Sequence, residues 1–175
     1  MLPQHYPIEP GTLFGGEYPG HPESGFARAK ILALVELGVR TFIDLTSPHD
    51  RMEPYEGLVA ELGKETGTEL RRIAVSIPDM SVPDSEEFMS AIMEAVRDSI
   101  TSSPAVYIHC WGGIGRTGTV VGCWLRECGL GSDEALERVQ HLYTTHMPKS
   151  KDIRYPESPQ TWEQKDYIRG WNAER

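Results

Sequence analysis

The chain has 175 residues, 39% hydrophobic and 25% charged, an ordinary globular composition with enough length for one sizeable core, so a single domain is expected. Its 17 Lys and Arg against 26 Asp and Glu leave a net charge of -9, which disfavours nucleic acid or an anionic membrane as partner but not a local anion site of backbone N–H groups and one arginine. Met1 to Pro10 carry three prolines and no apolar run, so no signal peptide or membrane anchor is expected, and Cys110, Cys123 and Cys128 form neither a disulfide framework nor a metal-type pairing, which points to a cytoplasmic protein with free thiols.

Leu13 to Gly16 reads as a short strand, and the apolar period from about Phe26 to Leu37 as a helix closed by Gly38. Val39 to Leu45 is rich in strand formers and stops at Ser47-Pro48. A helix containing Leu58 to Leu62 is expected to end near Gly63, and Leu70 to Ile77 is the next strand. Phe88, Ile92, Ala95 and Val96 share one face of a helix from about Ser85 to Ile100. Ala105 to His109 is a short apolar strand, Gly115 to Cys128 an apolar helix, Ser132 to His146 an amphipathic one, and a last helix spans about Thr161 to Trp171, with Trp162, Tyr167 and Trp171 on its apolar side. Strands alternating with helices predict an α/β, three-layer domain with a central sheet covered by helices on both faces.

Chemistry concentrates in His109-Cys110-Trp111-Gly112-Gly113-Ile114-Gly115-Arg116-Thr117-Gly118, at a strand-to-helix handover. Closely spaced glycines let successive N–H groups turn inward around one anion, and the following helix adds its positive N-terminal end. Trp111, Gly112, Gly113, Ile114 and Gly115 then form a phosphate cradle. Cys110 at its base would be stabilised as a thiolate nucleophile by the cradle and by Arg116, whose planar fork matches two phosphoryl oxygens. Thr117 could donate its hydroxyl to the sulfur as it leaves.

HCWGGIGRTG resembles the signature of the protein tyrosine phosphatase superfamily, in which Cys and Arg are separated by five residues and followed by Ser or Thr, and the short chain resembles the compact dual-specificity branch. The resemblance covers most of Leu13 to Trp171. It implies a four- or five-stranded sheet flanked by helices and two-step hydrolysis of a phosphate monoester through a phosphocysteine, with no cofactor and no metal. Because the loop interior has no further basic residue and the net charge is -9, phosphoprotein is the expected substrate, with phosphotyrosine ahead of phosphoserine and phosphothreonine. The resemblance also implies a general acid on a separate loop, for which Asp79 in Ile77-Pro78-Asp79-Met80 is the candidate; Asp84, in Asp84-Ser85-Glu86-Glu87, is the competitor, better read as a helix N-cap with a Glu three residues on. Gln164 is similar in position to a glutamine that orients the hydrolytic water in relatives, although the stretch with Pro156 and Pro159 departs from the usual pattern.

Three other readings stay open at this stage. Gly113, Gly115 and Gly118 also spell the dinucleotide-binding GxGxxG, but no strand ending in an acidic residue follows. Inositol phosphates or phosphoinositides are an alternative substrate; the loop interior has no Lys or second Arg to hold extra phosphates, though Arg51, Arg71 and Arg72 could line the entrance. A pseudophosphatase that binds phosphoproteins without turnover is the non-enzyme alternative. Cys123 and Cys128 read as packing residues, and His141 and His146 as helix-surface residues. The sequence does not fix the oligomeric state.

Overall fold

The computed structural model describes residues 2–171, which form a single α/β domain. Five strands, β1 (His5–Glu9), β2 (Leu13–Gly16), β3 (Val39–Asp44), β4 (Arg71–Ala74) and β5 (Ala105–His109), make a mixed sheet in the order β1-β2-β5-β3-β4. Only β1–β2 is antiparallel. Seven α-helices flank the sheet among the described residues: α1 (Ser24–Glu36), α2 (Glu56–Thr66), α3 (Glu86–Ser102), α4 (Gly115–Glu127), α5 (Ser132–His146), α6 (Lys149–Arg154) and α7 (Trp162–Gly170).

Strand β5 lies at the centre and is apolar throughout because both its faces are covered. Its alternation sends Ala105 and Tyr107 into one core with Ile31, Leu34 and Leu62 of α1 and α2, and Val106 and Ile108 into the other with side chains of α3, α4 and α5. Helix α3 contributes Met89, Ile92, Met93 and Val96, all fully buried and worth roughly 1.5–3 kcal/mol each by apolar transfer.

Several boundaries differ from expectation for local reasons. β1 was hidden by Pro7 and Pro10, but an edge strand tolerates proline, and this one carries a bulge between Pro7 and Glu9. Helix α2 runs through Gly63, a position that costs only about 1 kcal/mol in a helix interior, and ends at Gly67, whose left-handed φ of 63° closes it. β4 stops at Ala74 rather than Ile77 because its partner β3 ends at Asp44. There the carboxylate turns back to accept the N–H and hydroxyl of Thr46 at 2.9 and 2.6 Å. The cap of α3 is Ser85, whose hydroxyl accepts the Phe88 N–H, so the capping role expected of Asp84 falls one residue later. α6, just before the stretch with Pro156 and Pro159, was not expected from the sequence. On α7, Gln164 and Ile168 are buried, whereas Trp162 is 74% exposed, because the buried stripe of this helix is at positions 164 and 168.

Candidate active site

Residues 110–114 form the loop between β5 and α4, under the carboxyl ends of the parallel strands, where open α/β sheets hold their ligands. Gly113 has φ 73°, and a Cβ there would lie 2.4 Å from the backbone carbon of Gly16, so this corner admits only glycine. The N-terminal hairpin presses the loop into place: Tyr18 N–H donates to Trp111 O at 2.9 Å, and the loop runs against the end of β2. Cys110 is nearly buried at the floor of a cleft of about 510 Å³, while Trp111 stands at the rim, 56% exposed.

Arg116 is almost wholly buried at the start of α4, and three groups hold its guanidinium. Nη1 donates to Asp50 Oδ2 at 2.6 Å and to Ile77 O at 3.1 Å. Nη2 is 2.8 Å from Asp79 Oδ1, an ion pair lacking the alignment of a hydrogen bond. Burial opposes the charged form of Arg116, but the Asp50 hydrogen bond, Cys110 and Asp79 outweigh it and raise the pKa further. A buried donor without an aligned acceptor, aimed into a cleft above a cysteine, is a place for an oxygen-bearing ligand. Thr117 Oγ1 is likewise buried with no hydrogen-bond partner, so its expected bond to the sulfur is not formed here.

Asp79 lines the cleft, and Asp84 is exposed outside it at the foot of α3. Asp50 escaped the sequence reading. It sits in a short 3-10 turn, Pro48–Asp50, where Oδ2 also caps the Ser47 N–H at 2.7 Å. Ser47-Pro48-His49-Asp50 looks like a cap and nothing else; only the fold places Arg116 against it.

Gln164 is fully buried, with both ends of its amide occupied. Oε1 accepts the N–H groups of Gln160 and Thr161 at 3.1 and 3.2 Å, and Nε2 donates to Ser81 O at 3.1 Å. Thr161 caps α7 in return, by accepting the Gln164 N–H. Gln160 instead lines the cleft, and its Oε1 is 2.7 Å from where a Cβ on Gly115 would be. The signal was present in sequence, since Thr161-x-x-Gln164 is a capping box that already accounts for Gln164.

The arginines suggested for the entrance lie elsewhere. Arg71 bonds Ser102 and Thr41, Arg72 is paired with Asp44, and Arg51 follows the 3-10 turn outside the cleft lining. Besides Arg116, the cleft is lined by Lys30 of α1 and Lys151 of α6, both bound to Glu17.

A model of the PTP-SAK family, described as the Swiss Army Knife protein DSP-PTPase phosphatase domain, matches residues 7–166. The chain belongs to this family. It is therefore a cysteine-based phosphatase domain of the protein tyrosine phosphatase superfamily, in its compact dual-specificity branch. Among solved structures it is similar to Tk-PTP in the active form, at 25% identity and a TM-score of 0.70 over 100% of this chain and 99% of that one. The core catalytic domain of the PP-IP phosphatase SIW14 from S. cerevisiae matches at 14% identity and 0.68, over 100% and 90%. A P. aeruginosa TpbA variant in complex with pTyr matches at 20% and 0.63, over 97% and 85%. These last two likenesses show the fold alone.

In this PTP-SAK domain a buried polar chain lies under the loop. Tyr55 O–H donates to His109 Nε2 at 2.7 Å, and His109 Nδ1–H faces Cys110 O at 3.3 Å, an arrangement that suits a neutral imidazole. Burial lowers the His109 pKa, with Asp44 opposing. Burial pushes Asp44 up, but His109, the two Thr46 hydrogen bonds and Arg72 outweigh it and hold the carboxyl below the usual range. Of the other thiols, Cys123 is buried in α4 and burial pushes it well up, while Cys128 is exposed past the end of that helix and raised by partial burial, Glu9 and Glu127. No helix among the described residues is long and apolar enough to cross a membrane.

Proposed function

We propose that the domain hydrolyses phosphate monoesters through a phosphocysteine at Cys110, with phosphotyrosine in proteins as its substrate. The observation that carries this is one cleft that joins Cys110, Asp79 and a buried Arg116 whose Nη2 has no aligned acceptor. The Cys110 thiolate attacks phosphorus, the ester P–O bond breaks, and Asp79 gives its proton to the leaving oxygen. Water then attacks the phosphocysteine, Asp79 takes a proton from it, the S–P bond breaks, and phosphate leaves with the thiolate restored. Arg116 bridges two equatorial oxygens as charge spreads over them, and Asp50 fixes its orientation. Gln160, at the cleft beside Gly115, takes the water-orienting role in place of Gln164.

The aryl substrate is supported by the cleft's apolar wall. Tyr18, Pro22, Met52, Met80, Trp111 and Tyr155 line it, with Met80 49% exposed. Such side chains suit the faces of a phenyl ring better than the hydroxyls of an inositol. The TpbA relative holds pTyr, whereas SIW14 is a PP-IP phosphatase; the second reading, inositol phosphates, draws on the two cleft lysines. Comparing kcat/KM for phosphotyrosine peptides, phosphothreonine peptides and soluble inositol polyphosphates separates them: phosphotyrosine first is expected, and inositol compounds first would overturn the choice. Cys110→Ser should lower turnover by about 10⁴-fold or more while phosphopeptide binding persists, and an active Cys110→Ser would remove the covalent route.

A further inference from the structure

One side of the cleft holds a charge cluster that phosphoryl transfer does not use. Glu17, just past β2, lies between two ammonium groups: Lys30 Nζ is 3.2 Å from Oε1 and Lys151 Nζ 3.2 Å from Oε2. Their side chains are only 15–20% exposed, so α1 and α6 hold the lysines where they stand. Lys151 Nζ also donates to Gly112 O of the loop at 2.8 Å, which ties the cluster to the phosphate cradle. Two cations around one carboxylate leave a surplus of one positive charge in the wall of the cleft that contains Cys110 and Arg116, on a chain whose net charge is -9. Each ammonium keeps donor capacity beyond its bond to Glu17.

Building on the phosphatase reading above, we infer that Lys30 and Lys151, spaced by Glu17, form a second anion subsite, so that preferred substrates carry another negative group beside the scissile phosphate. The shared chemistry is an anionic oxygen group, supplied either by an acidic side chain flanking the phosphotyrosine or by a second phosphate on a small molecule. Glu17 sets both the spacing and the strength of the subsite: it positions the lysines and cancels one of their charges.

The test is a ratio of kcat/KM within matched substrate pairs, Glu-flanked over Gln-flanked phosphotyrosine peptide and inositol bisphosphate over monophosphate, for the wild type, Lys30→Met and Glu17→Gln. Wild type should favour the more anionic member of one pair by about twofold to fivefold, the range of partly exposed charge pairs, and the preference should shrink at high salt. Lys30→Met should bring that ratio close to one, and Glu17→Gln should increase it. Both variants break the same Lys30–Glu17 pair, so a merely structural pair would shift them in the same direction, and thermal melts show whether each is folded. The responding pair identifies the source of the anion. Ratios near one in wild type for both pairs, or ratios that move alike in the two variants, overturn the subsite while leaving the phosphatase reading intact. Absence of hydrolysis for every compound would instead defeat that reading, and titration calorimetry of the same pairs would then give the ratio without turnover.

Discussion

The floor of the cleft and its walls are built in opposite ways. The floor is one run of residues, Cys110 to Arg116, closed by its own glycines and by the start of α4. The walls bring Glu17, Lys30, Asp79, Lys151 and Gln160, and the Asp50 that holds Arg116 from behind them, from six separate segments. Backbone geometry alone can shape an anion cradle, because N–H groups of neighbouring residues converge wherever glycine permits. Charges that orient a cradle's arginine, donate a proton or select a substrate must stand opposite the cradle, and neighbours in sequence cannot do so. On the function proposed above, affinity for phosphate is local and everything that discriminates is non-local.

Asp79→Asn gives the largest expected effect on the wall side: about a 10²–10⁴-fold loss of kcat for a substrate with a poor leaving group, and far less for an activated aryl phosphate. If Asp84→Asn did the same, the division would be misplaced. Next comes Asp50→Ala, which leaves a buried guanidinium under-paired. Both side chains of this pair are nearly inaccessible, so about 3 kcal/mol of stability should go, with kcat/KM falling about 10²-fold. Asp50→Asn, which keeps a hydrogen-bond acceptor, should fall between. Unchanged activity in Asp50→Ala would mean that the loop orients Arg116 unaided.

What could be read in advance follows the same line. The strand-loop-helix handover at Cys110 and the burial of β5 on both faces have local causes in apolar period and glycine spacing, whereas the α3 stripe was placed partly off its axis: Ile92 and Val96 are buried as expected, but with Met89 and Met93, while Phe88 and Ala95 are half-buried at its margin. β1 was missed because its prolines count against a central strand and not against an edge. α6 was missed because its six residues, Lys149–Arg154, carry too little periodicity. Asp50 and Lys151 had no local signature of function, as their partners are 66 and 134 residues away, Arg116 and Glu17 respectively. Lys30 and Lys151 reach the cleft from α1 and α6, so the loop's own lack of basic residues says nothing of the charge beside it.

A smaller effect is expected from the glutamines, and it tests whether the wall of the cleft reaches the second chemical step. Gln160→Ala should slow phosphocysteine hydrolysis about 10-fold and reveal a burst of released alcohol before the steady state, with Tm nearly unchanged. Gln164→Ala removes the acceptor for two backbone N–H groups and one donor, so it should lower Tm first. A burst in Gln164→Ala and none in Gln160→Ala would return the role to Gln164.

The smallest expected effect concerns the layer beneath the floor, where stability and pH are linked through His109. Burial holds its folded pKa below the ordinary value of about 6.5, so below that pH the unfolded chain binds a proton that the native imidazole refuses. More protons on the unfolded state mean that stability rises with pH through this window. On acidification the loss therefore begins near about pH 6.5 and continues until the folded imidazole also protonates. Asp44 acts in the same direction in a lower window: its folded pKa is depressed, so its contribution is present above the unfolded carboxylate value of about 3.9 and is lost as pH falls below it. Thermal melts from pH 8 to 4 should be level above about pH 7 and fall below it. His109→Gln, whatever its absolute Tm, should flatten the upper part of that fall and leave the part near the carboxylate range. The charge of Arg116 does not titrate in this interval, and His109 lies between Cys110 and Tyr55 without facing open solvent, so a slope that survives His109→Gln unchanged would have to come from exposed groups. The floor would then be insulated from proton activity, and its resemblance to a self-contained, backbone-built element would be stronger than the buried Tyr55–His109 contact implies.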